Sequence, residues 1–311
     1  MYRFQPQITR NIRKEIDMHK YGKGPSLAGL DISSYSTDEL RELVSKLLNR
    51  KIHGISFSPY VPGQSPGSLL TEEQIRERLS IIRPYVKWIR TFSCTDGNEL
   101  IPKIAHEMGL KTLVGVWLDD DLEMNDAELK NAIQLAEAGY VDMLGVGNEV
   151  LLRGELSAEL LVGYIERAKR ALPNIDVGYV DAYYLFELNP AVTDACDVVF
   201  ANCYPFWEGV PIEHSLVYMK DMYQRVSKVS GGKKVVVSET GWPNEGPSEH
   251  GAVPSWENAI RYVLNAYQWA EDENIDLFYF SSFDEAWKVE KEGGVGACWG
   301  LWSEEGRPKY A

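Results

Sequence analysis

The chain has 311 residues, of which 44% are hydrophobic and 25% charged, a balance typical of soluble globular proteins. No apolar run approaches the roughly 18 residues that predict a membrane span. With 46 acidic and 32 basic side chains the net charge is −14, so the surface field repels phosphate backbones and anionic lipids. We therefore expect neither nucleic acid nor membrane as a partner.

Residues 1–30 are polar and punctuated by Gly and Pro, which predicts an N-terminal extension with one short helix at residues 12–19, ahead of a single domain at 31–311. The first residues lack the basic, apolar and small-residue order of a secretory signal. We expect a cytoplasmic protein if Met1 is the native start, and otherwise a secreted or periplasmic one whose signal was removed.

Beyond the extension, short β-branched or aromatic runs alternate with amphipathic stretches, the pattern of repeated βα units. Helices are predicted at residues 38–49, 71–82, 125–138, 157–172, 212–228 and 256–273. Strands are predicted at residues 54–58, 88–92, 112–117, 143–146, 176–179, 198–201, 235–238 and 277–281.

Eight such strands predict an α/β protein with a (β/α)8 TIM barrel. An open doubly wound sheet is less consistent, because no G-x-G-x-x-G follows the first strand. Thr71 and Gln74 form a capping-box pattern at the start of one helix. The Gly/Pro-rich segments 62–67 and 244–253 follow strands one and seven, so in a barrel they lie on the active face.

Two glutamates occupy unfavourable positions for a charge. Glu149 follows the fourth predicted strand and Glu239 follows the seventh, each after a buried apolar run. One such residue is commonly a salt-bridge partner in a loop, but a barrel brings two of them to the same rim. Cleavage of a glycosidic bond needs one carboxylic acid to protonate the leaving oxygen and a second carboxylate to attack carbon or activate water.

The surrounding motifs resemble glycoside hydrolase family 17, over about residues 50–310. Gly147-Asn148-Glu149 resembles that family's acid/base motif, and the run from Ser238 to Pro243, Ser-Glu-Thr-Gly-Trp-Pro, resembles its nucleophile motif. Residues 202–206, 283–288 and 299–302 match further elements in the same order. The resemblance implies a barrel of the retaining clan whose members act on β-1,3-glucans, with Glu149 as acid/base and Glu239 as nucleophile.

The same resemblance assigns substrate-binding roles. Tyr204 matches a tyrosine that donates to the nucleophile, and Asn148 an asparagine that reads the sugar 2-hydroxyl; a buried tyrosine and a loop-capping asparagine are the alternatives. Glu285 and Lys288 match a charged pair that clamps glucose hydroxyls, with a surface salt bridge as the alternative. The remaining candidates are aromatic, namely a substrate-facing tyrosine and four rings expected to stack on glucose: Tyr60, Phe206, Trp207, Trp242 and Trp287.

Nothing in the sequence indicates a metal or a cofactor, and we expect none. The four cysteines are too widely spaced for a zinc site and are expected to be buried free thiols, with one disulfide as the alternative. The histidines form no cluster with ligand spacing; His250 is expected to be an exposed loop residue, with a place in a substrate subsite as the alternative.

The predicted function is a monomeric endo-β-1,3-glucanase that works by double displacement on a β-glucan polysaccharide or oligosaccharide. Residues 206–209 and 286–288 resemble the microbial and fungal branch of the family, which contains both hydrolases and glucanosyltransferases. A β-1,3-glucanosyltransferase with the same residues is therefore the first alternative. A non-catalytic glucan-binding barrel is the second.

Overall fold

The computed structural model describes residues 29–311, so the helix predicted at residues 12–19 lies outside the described residues. Eight parallel strands pair in chain order, and the last pairs with the first to close a barrel. This confirms the predicted (β/α)8 barrel. The domain boundary at residue 30 stays a prediction.

Every predicted strand is present, with shifted ends. β4, β6 and β7 extend further toward their carboxyl ends than predicted, which brings the motif residues Asn148, Asn202 and Glu239 into the strands themselves, and β5 also ends later than predicted. The strands are β1 Ile52–Ser56, β2 Val86–Arg90, β3 Lys111–Val116, β4 Met143–Asn148, β5 Asp176–Ala182, β6 Val198–Asn202, β7 Lys234–Thr240 and β8 Leu277–Tyr279.

The six predicted helices are present, and four further ones were missed because each is too short for its periodicity to stand out. Those four are α3, α6, α7 and α10. The helices are α1 Thr37–Asn49, α2 Glu72–Ile82, α3 Leu100–Glu107, α4 Leu122–Glu137, α5 Ala158–Ala171, α6 Tyr183–Leu188, α7 Pro190–Ala195, α8 Ser215–Val229, α9 Trp256–Glu273 and α10 Val289–Glu292. No helix within residues 29–311 is long and apolar enough to cross a bilayer.

The capping box predicted at α2 is only half formed. The Thr71 hydroxyl accepts a hydrogen bond from the Gln74 backbone N–H at 3.2 Å. The Gln74 side chain, however, donates to the Pro59 carbonyl at 2.8 Å and to the Gln64 side chain at 2.6 Å. Gln74 therefore ties α2 to the loop after β1 and does not close the box.

Alternation along the strands divides the core in two. On β6, Val199 and Ala201 belong to the large cluster packed against the helices, whereas Val198 and Phe200 belong to a second cluster that fills the barrel interior. Asn202 continues the interior-facing series at the carboxyl end of β6, where the filling becomes polar. The site begins at this change from apolar to polar side chains.

A glycine on β5 shows how tightly the barrel is packed. A Cβ atom on Gly178 would lie 2.0 Å from the Val198 carbonyl oxygen and 2.9 Å from the Phe200 ring. Gly163, within α5, has no such neighbour within 4 Å. The same substitution should therefore have opposite effects at the two positions.

We predict that Gly178→Ala destabilises the protein by about 1–3 kcal/mol or more, because the added methyl overpacks the barrel. Gly163→Ala should stabilise it by about 0.5–1 kcal/mol, because alanine is the better helix former. Urea unfolding of both variants measures the two effects. Equal shifts of the same sign would contradict the packing described for β5.

Candidate active site

Irregular strand pairing aims the two glutamates into the barrel mouth. The β4–β5 register shifts between Gly145 and Asn148, and the β6–β7 register shifts between Ala201 and Asn202, which pairs with Glu239. Such bulges redirect side chains at barrel rims. The structure thus brings Glu149 and Glu239 to the same end of the barrel, as the strand count predicted.

The backbone at Glu149 is held in an unusual conformation. Its φ is 52°, in the left-handed region that non-glycine residues rarely adopt, and Gly147 just before it has a φ of 84°. The Glu149 N–H donates to the Val180 carbonyl of β5 at 2.8 Å. Such a conformation persists only where the surrounding structure holds it.

Glu239 is almost fully buried, with 6% of its surface exposed, and each of its carboxylate oxygens has a partner. The Arg90 guanidinium donates to Oε1 at 2.5 Å, and the Tyr204 hydroxyl donates to Oε2 at 2.6 Å. Burial, followed by the charge of Glu239, raises the pKa of Tyr204 well above its usual value, so the phenol is a neutral donor. A buried carboxylate is thereby compensated by a cation and a hydroxyl.

Sequence reasoning missed Arg90. Its guanidinium also donates to Asn148 Oδ1 at 2.6 Å and lies 4.3 Å from the centre of the Phe92 ring. One side chain therefore fixes both Glu239 and the residue before Glu149. The signal was available, since Arg90 ends an apolar strand just as the two glutamates do.

Glu149 lies in a different environment. Asn202 donates to its Oε1 at 2.8 Å, and the Ser238 hydroxyl donates to Asn202 Oδ1 at 2.8 Å, which orients the amide. Burial and then the negative charges of Glu239 and Asp181 raise the pKa of Glu149 to about 7, against the opposing effects of Asn202 and Arg90. The site therefore combines a carboxyl whose pKa lies near neutrality with a carboxylate held by a cation.

The two glutamates stand where two lobes of a cleft meet. The first lobe has a volume of about 690 Å³ and the second about 430 Å³; Glu149, Glu239, Phe280 and Glu292 border both. Seven of the predicted substrate-binding residues line the cleft, five in the first lobe and two in the second. Those of the first lobe are Tyr60, Asn148, Glu285, Trp287 and Lys288, and those of the second are Tyr204 and Trp207.

Glu285 and Lys288 form a buried ion pair on the wall of the first lobe. Their charged atoms lie 2.7 Å apart, and both side chains are almost fully covered. The Lys288 ammonium is 3.9 Å from the centre of the Phe280 ring. This environment excludes the alternative of a plain surface salt bridge, because such a pair would be solvated on both sides.

Two of the four rings predicted to stack on glucose lie outside the cleft, so the prediction is wrong for these two. Phe206 and Trp242 have no exposed surface and line neither lobe. Their rings pack edge to face at 5.3 Å, and the Trp242 indole donates to the Val253 carbonyl at 3.0 Å. Both belong to the large core cluster between the strands and the helices. The Phe206 ring also packs against the ring of Trp207, 5.2 Å away.

The four cysteines and His250 line neither lobe of the cleft. Within residues 29–311 no group of three or more His, Cys, Asp or Glu could hold a metal ion. All four cysteines are free, and three are buried, whereas Cys298 is partly exposed. The side chain of His250 is 84% exposed and lines neither lobe, which leaves it a surface loop residue.

Comparison with known proteins gives the family. Residues 54–300 match the model of the BtgE/BtgC glycoside hydrolase domain. The structure is similar to the glycoside hydrolase family 17 β-1,3-glucanosyltransferase from Rhizomucor miehei, with a TM-score of 0.74 and 30% identity over 84% of this chain and 96% of that one. The chain belongs to glycoside hydrolase family 17. The predicted resemblance is confirmed, and with it the prediction of a glycoside hydrolase.

Other relatives of this family 17 chain agree. The glucan 1,3-β-glucosidase of Schizosaccharomyces pombe is 29% identical, over 85% of this chain and 88% of that protein. The glucan 1,3-β-glucosidase BGL2 of Candida albicans is 28% identical, over 75% and 84%. A family 2 β-galacturonidase from Eisenbergiella tayi, at 18% identity and a TM-score of 0.64 over 83% of this chain and 49% of that one, shares the fold alone.

We predict that Arg90→Met destabilises the protein by about 3–5 kcal/mol, because the Glu239 carboxylate is left buried without its cation. Adding Glu239→Gln should recover part of the loss, since a neutral amide needs no counter-ion. Urea unfolding of the wild type, both single variants and the double variant measures the coupling between the two residues. Strictly additive effects would contradict a direct link.

Proposed function

We propose that the protein cleaves β-1,3-glucosidic bonds with retention of configuration, Glu239 acting as nucleophile and Glu149 as acid/base. The observation that carries this proposal is the unlike environment of the two carboxyls at the junction of the cleft: one is bound by Arg90 and Tyr204, and the other has its pKa raised to about 7. The substrate class is supported by the β-1,3-glucan specificity in the names of the relatives.

In the first step the protonated Glu149 gives its proton to the glycosidic oxygen while Glu239 attacks the anomeric carbon. The bond between that carbon and oxygen breaks, and an ester links the sugar to Glu239. In the second step the Glu149 carboxylate takes a proton from an incoming hydroxyl group, whose oxygen attacks the anomeric carbon and releases Glu239. The proton balance requires Glu149 to be protonated at the start and end of each cycle.

We assign the glycone side of the substrate to the first lobe. By family resemblance Asn148 reads the 2-hydroxyl of the sugar that is attacked, and Asn148 lines the first lobe but not the second. The leaving group then occupies the second lobe. Space on both sides of the glutamates supports internal cleavage, because a pocket closed beside them would admit only a chain end.

The second candidate is a glucanosyltransferase, in which a sugar hydroxyl replaces water in the second step. The aromatic lining of the second lobe supports it, because sugar C–H faces pack on such rings. An acceptor glucan held there competes with water for the glycosyl-enzyme ester. The rings are those of Tyr183, Tyr184, Tyr204, Trp207, Phe280 and Trp299.

We predict that Glu149→Gln lowers kcat on laminarin by about 10²–10⁴-fold, the usual contribution of a general acid/base. Glu239→Gln should abolish turnover, because no ester can form. Released reducing ends measure both effects, and ¹H NMR of the first product should show the β anomer. An α anomer would contradict double displacement, and wild-type protein that binds laminarin without turnover would identify a binding module.

For the choice between water and sugar we expect laminaripentaose to give only products shorter than itself, as hydrolysis requires. Chromatography of the products decides, because chains longer than the substrate identify transfer. The second lobe would bind the leaving group in hydrolysis and the acceptor sugar in transfer. Trp207→Ala should weaken that binding and raise KM. Leu188→Ala is the matched control, since Leu188 is an exposed apolar residue that lines neither lobe.

A further inference from the structure

Strand β5 holds the turn that carries Glu149. Tyr179 and Asp181, two residues apart on the strand, both take part. The Tyr179 hydroxyl accepts a hydrogen bond from the Leu151 N–H at 2.9 Å and donates to the carboxylate of Asp181. Together with the bonds from the Glu149 N–H to the Val180 carbonyl and from the Leu152 N–H to the Asp181 carboxylate, these contacts attach three successive β5 residues to the turn.

Asp181 is a fully buried carboxylate that forms no salt bridge with any Lys, Arg or His among residues 29–311. Besides Tyr179, the backbone N–H groups of Ala182, at 2.7 Å, and Leu152 donate to it. The charge of Arg153 favours its ionised form, but Arg153 itself is ion-paired with Glu155 at 2.6 Å. A neutral acceptor could take the same backbone bonds at a lower desolvation cost, so the presence of a carboxylate here needs a further reason.

The reason lies in the charge that Asp181 presents to Glu149. Burial raises the pKa of Asp181 to about 6, so this carboxylate is ionised at the pH where Glu149, with a pKa of about 7, loses its proton. A like charge nearby disfavours that loss. Asp181 is one of the groups that raise the pKa of Glu149.

We propose that Asp181 is a positioning residue for Glu149: with Tyr179 it fixes the turn from residue 149 to 152, and it does so with a charged group. The proposal rests on the proposed function, in which Glu149 must begin each cycle protonated. It assigns Asp181 no contact with substrate, because its side chain is fully buried and lines neither lobe.

Other groups also face Glu149, and all of them remain in a variant of Asp181. Glu239 on β7 raises the pKa of Glu149, whereas Arg90 on β2 and the Asn202 amide on β6 lower it. Burial and then the charges of Asp181, Glu208 and Glu149 raise the pKa of Tyr184 on α6, so this phenol also lies near Glu149. Titratable or charged groups around Glu149 besides Asp181 thus include Arg90, Arg153, Tyr184, Tyr204 and Glu239.

The test compares Asp181→Asn with Tyr179→Phe. Removal of the charge favours the ionised form of Glu149, so in Asp181→Asn the alkaline limb of the kcat/KM profile should move from about pH 7 to lower pH by roughly 0.5–1 unit. Tyr179→Phe loses a hydrogen bond to the same turn and keeps the carboxyl of Asp181, but it also removes a donor that lowers the pKa of that carboxyl. It should lower the plateau of kcat/KM and move the limb in the same direction by less than Asp181→Asn does.

A second readout does not depend on turnover. With ¹³C-labelled glutamate carboxyls, the Glu149 signal is assigned by its loss in Glu149→Gln and followed by NMR against pH. We expect a lower Glu149 pKa in Asp181→Asn than in the wild type and a smaller decrease in Tyr179→Phe, in which Asp181 loses one of its hydrogen-bond donors. If the wild-type protein turns over no glucan, the proposed function fails, while the NMR titration still decides the role of Asp181.

An unchanged Glu149 titration in Asp181→Asn, with activity reduced equally at every pH, would overturn the proposal and leave Asp181 a structural residue. Circular dichroism and thermal unfolding verify that each variant is folded. Should Asp181→Asn fail to fold, Asp181→Ser replaces it, because a hydroxyl removes the same charge without setting a new amide donor against backbone N–H groups. The expected shift is the same for both.

Discussion

The site depends on compensating one buried charge. Glu239 lies at the end of β7 where water is almost excluded, and a carboxylate there is stable only with a cation and donors in fixed positions. Arg90 and Tyr204 supply them from the ends of other strands, and Arg90 reaches on to Asn148. Only a closed barrel brings these strand ends to one point, so the fold and the chemistry share this requirement.

The two glutamates are chemically identical side chains that differ by what surrounds them. Glu239 has a guanidinium at 2.5 Å, whereas Glu149 has an amide donor and the negative charges of Glu239 and Asp181 as neighbours. The two carboxyls are coupled. The negative charge of Glu239, although paired with Arg90, still raises the pKa of Glu149. In the proposed mechanism this difference in surroundings makes Glu149 the acid/base and Glu239 the nucleophile.

The cleft is built from layers of aromatic and charged residues that act at different depths. Trp207 and Trp287 line the two lobes, while Phe206 and Trp242 lie behind the wall and hold its shape through ring packing. The buried Glu285–Lys288 pair adds an ion pair to the wall of the first lobe. Glucan selection in the proposed function therefore rests on few exposed rings supported by many buried ones.

By itself the sequence determined the barrel, the two strand-end glutamates and the family, because βα periodicity and short motifs are local properties that are read directly along the chain. Tertiary structure decided the rest. Phe206 and Trp242 follow strands just as Trp207 does, but burial depends on which helices cover each position. The partners of Glu239 and Glu149 depend on register shifts at the strand ends, so the contacts that Arg90 and Asp181 make became visible only once distant strands were side by side.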